Sequence, residues 1–194
     1  MTIETCIINE SNWPQLLTPM IALFGVVIAY HQLMKNNRTR QADFTHKLDV
    51  EFFTKESHIL MTIIEFDAIK FIEPNNSNGD PYFKIALDKI EGLDSRYFEL
   101  KKFVEDRSLE ISTFEIDHFL LGHFEKIGIY NKKKIIYIEF IYETFDYYIQ
   151  KVHKNVEIQK YIQWIRQNYE DQDIYNKFDF IANKSYDFSR KIKK

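Results

Sequence analysis

Met20-Ile-Ala-Leu-Phe-Gly-Val-Val-Ile-Ala-Tyr30 is an unbroken apolar run. Outward from it, no Asp, Glu, Lys or Arg occurs between Ser11 and Met34. Coiled as an α-helix, that stretch reaches roughly 36 Å, against a bilayer hydrocarbon core of about 30 Å. Trp13 and Tyr30 stand at its two ends, where amphipathic rings favour the membrane–water interface. Pro14 suits a first helical turn with Ser11 or Asn12 as cap, and Pro19 is tolerated inside a membrane helix. A secretory signal fits poorly, because Glu4 and Glu10 precede the run without any Lys or Arg, and no Ala-x-Ala-like site follows it. A buried core helix would not be flanked so unevenly: Lys35, Arg38, Arg40 and Lys47 follow the run and no basic residue precedes it. The expectation is a transmembrane helix over residues 13–34.

The same flanks set an orientation. Basic residues stay on the cytoplasmic side, so the C-terminal part is expected inside and the short segment 1–12, with Cys6, outside. Trp13, Tyr30, Lys35, Arg38 and Arg40 are the expected interface residues, with membrane lipid as their partner. Ala22, Gly25 and Ala29 fall on one helical face, a small-residue surface that lets two membrane helices approach closely, so a homo-oligomer is expected.

Composition bounds the remainder. The chain has 194 residues, enough for one sizeable core, with 45% hydrophobic and 28% charged residues, which excludes wholesale disorder. Five Gly and four Pro are too few for a sandwich with a turn every ten residues. A single Cys excludes an internal disulfide framework and a multi-Cys zinc site. A formal charge of −3 gives no general attraction to nucleic acid, and none is expected as a partner.

The rest of the chain reads as helices. Phe44, Leu48 and Phe52 recur at i, i+4 and i+8, and Thr54-Lys-Glu-Ser57 restarts or bends the helix. Leu60, Ile63, Ile64 and Phe71 extend the stripe, so residues 35–72 read as a juxtamembrane stalk of one or more helices. Glu73 to Pro81 is dense in turn residues and is read as a loop dividing that stalk from a helical bundle over 82–187. In the bundle, Ser112-Thr-Phe-Glu115 has the form of a capping box, starting a helix with Ile116, Phe119, Leu120, Phe124 and Ile127 on one face and Gly128 as its stop. Asn131 to Lys134 reads as a solvated connection. Ile138, Ile141, Tyr142, Phe145, Tyr148, Ile149 and Val152 make the most regular stripe. Ile158, Ile162, Ile165 and Tyr169 make another, and Ile174, Phe178 and Ile181 a last one, before a basic tail at 188–194. Ile135 to Ile138 alone resembles a strand, but the longer period outweighs it. The fold class is all-α: a transmembrane helix continuing into a stalk, then a cytoplasmic bundle.

Motifs that carry chemistry are sparse. No G-x-x-x-x-G-K-[ST], G-x-G-x-x-G, G-x-S-x-G or H-E-x-x-H is present, and no cofactor is expected. Glu115 and His118 have the spacing used in di-iron bundles, but a second copy is missing and no metal is expected. Arg40 and His46 match the R-x(4–6)-H motif of a nucleotide-binding helical nuclease superfamily, where Arg holds a phosphate and His activates a ribose hydroxyl. With six Arg and six His in the chain, such a spacing arises by chance; an Arg at the headgroups and a polar stalk His is the plainer reading. Trp164 and Arg166 suit a ligand pocket, or equally a buried aromatic and a surface Arg. The basic residues from Lys184 to Lys194 suit either anionic lipid or a solvated terminus.

Arg40, Phe44, Leu48, Phe52 and Phe53, with Phe119-Leu-Leu-Gly-His-Phe-Glu125, Phe145-Asp-Tyr-Tyr-Ile149 and Tyr161-Ile-Gln-Trp-Ile-Arg166, resemble a diffuse group of bacterial single-pass membrane proteins with a helical cytoplasmic domain. Some small proteins of that build act in antiphage defence. The resemblance implies a bacterial inner-membrane anchor. The expected function is a non-enzymatic effector or signalling module whose cytoplasmic domain receives a protein partner or a small signalling ligand. The alternatives are a membrane-tethered adaptor and a membrane-tethered RNase using Arg40 and His46.

Overall fold

The computed structural model describes residues 13–74, 79–90, 98–105 and 109–192; the expected outer segment 1–12 with Cys6, and Lys193 and Lys194, lie outside them. Among the described residues, α1 (Trp13–Phe52) and α2 (Lys55–Glu65) lead to strands β1 (Ile69–Ile72) and β2 (Tyr82–Ile85), a 3₁₀ turn at Leu87–Lys89 and α3 (Phe98–Glu105). Strand β3 (Glu110–Ser112) then enters α4 (Thr113–Ile116), a π-helical turn at Asp117–Leu121 and α5 (Gly122–Lys132), followed by α6 (Ile138–Lys154), α7 (Val156–Asn168) and α8 (Asn176–Ile192). The chain is all-α in class, with one small antiparallel sheet that the hydrophobic periods do not announce.

Contacts divide the chain into two units, Met1–Ala42 and Asp43–Lys194. In the first, α1 runs unbroken through Pro19, and every described side chain from Leu17 to Arg40 is exposed.

In the second unit the last turns of α1 bury Leu48 and Phe52. Thr54 ends that helix and caps the next, its hydroxyl accepting from the Ser57 N–H at 3.2 Å. Residues Ile59 to Ile64 of α2 are all buried. The helical stripe does not continue to Ile72. Asp67 takes φ 49°, with Asp67 N–H donating to Ile64 O and Ala68 N–H to Ile63 O, a left-handed closure that stops α2. The following residues turn into β1, which pairs with β2, and β2 with β3. The register aligns Phe71, Phe83 and Ile111, all buried, while Lys70, Lys84 and Glu110 face outward. Residues 73–81 are therefore the link between two paired strands, and the division by contacts falls at Ala42 and Asp43 instead.

The bundle follows its sequence periods closely. Ser112 closes a reciprocal capping box with Glu115. Ile116, Leu120, Phe124 and Ile127 are buried, as are Ile141, Phe145, Ile149 and Val152 on α6, Ile158 and Ile162 on α7, and Phe178 and Ile181 on α8. Gly128 is not a helix stop. It lies inside α5, where an added Cβ would sit 2.1 Å from the Lys177 carbonyl oxygen of α8. The close approach lets Glu125 reach across and accept from the Phe178 N–H at 2.7 Å. The helix ends instead at Lys133, with Lys134 at φ 58°. Asn131 is buried rather than solvated: its Nδ2 donates to Ile136 O and its Oδ1 accepts from Lys184 Nζ at 2.7 Å. Helix α8 continues to Ile192, through most of the stretch read as a tail.

Candidate functional site

The π-helical turn builds the most distinctive polar site. Gly122 N–H donates to Asp117 O, five residues back, which widens the helix for one turn. Glycine is required there, since an added Cβ would meet the Asp117 carbonyl oxygen at 2.8 Å. The Asp117 carboxylate turns inward and takes two phenols from far along the chain, Tyr161 on α7 and Tyr175 in the turn before α8: Tyr161 Oη donates to Oδ2 at 2.6 Å and Tyr175 Oη to Oδ1 at 2.5 Å. Burial raises the Asp117 pKa above its ordinary value, against the two phenol bonds that lower it. Burial and the Asp117 carboxylate push both tyrosines well above the usual phenol range, so they stay protonated donors. Tyr175 holds φ 58°, a left-handed backbone that costs on the order of 1 kcal/mol and is maintained by its surroundings.

Among the described residues, Asp117 borders two clefts. The larger, about 710 Å³, is lined by Asp117 and Tyr161 with Phe114, Trp164, Asn168 and Tyr169, and by Asp80 and Pro81 ahead of β2. The smaller, about 390 Å³, lies against Glu51, Thr54, His118, His123 and Lys126. There Lys126 Nζ bonds Glu51 Oε1 at 2.5 Å and holds that carboxyl below its usual range, while burial lowers His123.

Ala22, Gly25 and Ala29 are exposed on α1, and a Cβ at Gly25 would meet nothing within 4 Å. Tyr30 is exposed with its ring edge-on to His31. Lys35, Arg38 and Arg40 are exposed on the same helix, and α1 begins at Trp13. His46 is exposed, its Nδ1 4.0 Å from the Asp49 carboxylate. Glu115 serves the capping box and His118 stacks on Phe114, and among the described residues no cluster of His, Cys, Asp or Glu is arranged to hold a metal. Trp164 does line the larger cleft. Arg166 does not: it donates to Ile174 O at 2.8 Å and to Asp179 at 2.6 Å. Burial raises the Asp179 carboxyl, but hydrogen bonds from His153 and Arg166 outweigh it and hold the group below its usual range. Tyr161, Tyr169, Tyr175 and Phe114 were not singled out as parts of a polar site, and the only local cue was Gly122 within an otherwise helical stripe.

Comparison with known proteins gave no match to any family model, curated protein or solved structure.

The apolar part of α1 is the other candidate surface. Ile21, Leu23, Val26 and Leu33 are each two-thirds or more exposed, and Met20, Phe24, Val27 and Ile28 about half or more. This helix is long and apolar enough to cross a membrane, and none of its most apolar window is buried. A core helix would hide those side chains.

Proposed function

We propose that the chain is a single-pass, membrane-anchored and non-enzymatic effector or signalling module. The observation that carries this reading is the set of large apolar side chains exposed along α1. Each is worth about 1.5–3 kcal/mol on leaving water, so bilayer insertion is the environment that suits the helix. The basic cluster Lys35, Arg38 and Arg40 favours a bacterial inner membrane crossed with the N-terminus out and the folded domain in the cytoplasm. The small-residue face Ala22, Gly25 and Ala29 supports self-association of the spans. The folded domain then receives the signal, as a protein partner or a small ligand, and antiphage defence is the setting that the sequence resemblance favours.

Membrane potential in bacteria producing the full chain, compared with a version lacking residues 1–34, tests this. The expected result is depolarisation by the full chain alone. An unchanged potential with both, or toxicity confined to the truncated version, contradicts it.

A further inference from the structure

The larger cleft combines features that select one kind of ligand. Phe114 and Tyr169 are each 70% exposed, although most of the folded unit's large aromatic side chains are partly or fully buried. Both project at the same cleft, Phe114 from the first turn of α4 and Tyr169 from the end of α7, with Trp164 between them in chain order on α7. Phe114 is braced by His118, whose ring stacks on it at 5.5 Å and 7°. The charged lining is acidic, Asp117 and Asp80, and among the described lining residues none is Lys, Arg or His. Aromatic faces present negative potential to a ligand and attract cations within about 6 Å of the ring centre. Two carboxylates and no basic group repel phosphates and carboxylates from the same space. A volume of about 710 Å³ suits a small molecule with a body as well as a charged head.

We propose that this cleft binds a small organic cation, an alkylammonium or amidinium head seated among Phe114, Trp164 and Tyr169 with its charge towards Asp117. The Tyr161 and Tyr175 phenols fix the carboxylate in place, so the acceptor is already positioned before the ligand arrives. This deepens the signalling reading by naming the class of signal, and its consequence for the cell rests on that reading; the binding itself does not.

Calorimetric titration of the full chain in detergent micelles, with benzyltrimethylammonium, benzyl alcohol and benzoate as probes, tests it. The expected result is saturable binding of the cation at millimolar concentration, clearly tighter than the alcohol, with no benzoate binding. Tyr169→Ala and Phe114→Ala each weaken it about fivefold. Both side chains are exposed, so these variants keep the fold, which circular dichroism checks. Equal binding of the three probes, no saturable binding of the cation, or full affinity in both variants overturns the proposal. Binding of the cation by a chain that never depolarises cells would sink the effector reading and leave this one standing.

Discussion

Gly128→Ala destabilises the folded unit by about 3 kcal/mol in denaturant titration, the upper end of overpacking costs. The sign is the informative part. An interior helical glycine replaced by alanine ordinarily gains about 1 kcal/mol of helix propensity. At Gly128 the new Cβ would lie 2.1 Å from the Lys177 carbonyl oxygen and 2.7 Å from its carbonyl carbon, both rigid backbone atoms of α8. Helices α5 and α8 must separate, and the Glu125 carboxylate then loses the Phe178 N–H at the start of α8. Gly25, in the first unit, provides the contrast, because the same substitution there meets nothing within 4 Å and carries no packing penalty. A stabilised Gly128→Ala protein would mean that α5 and α8 are not packed this closely.

Phe52→Ala has an effect of similar or larger size, about 3–5 kcal/mol by the same titration. Phe52 is 1% exposed and sits at the centre of an aromatic cluster, with ring centroids of Phe53, Phe124, Phe145, Tyr148 and His123 between 4.9 and 5.9 Å away. Most of these pairs are edge-to-face, the arrangement that adds attraction beyond area burial. Removing the hub leaves a cavity that five rigid rings cannot close. Loss of less than about 1 kcal/mol would place the end of α1 outside this core.

The helices could be read from the sequence because their information is local. Phe145, Ile149 and Val152 repeat at helical spacing on one element, and Ser112 and Glu115 cap within a single turn. The sheet was hidden because its strands are three or four residues long and gain stability only from pairing across the chain. Phe71 falls at helical spacing from Ile63 and Ile64, so a stripe count extends α2 into β1; only the Asp67 closure separates them. Gly128 looked like a stop because a lone glycine late in a stripe has two meanings, and the deciding atom belongs to Lys177, far along the chain. Asp117 was visible as a polar residue, but its site was not. Tyr161 and Tyr175 arrive from 44 and 58 residues away, and the π-turn that presents Asp117 has no spacing rule of its own. The apolar segment of α1, by contrast, was legible outright, since a run of uncharged residues needs no partner to be recognised.

The proposed role of α1 is to anchor this protein in a bilayer. The most direct measurement is alkaline extraction of membranes from cells producing the full chain, which strips peripheral proteins and leaves spanning ones in the pellet. With α1 spanning the bilayer, the full chain stays in the pellet after extraction. Release of the full chain into the alkaline supernatant would contradict it.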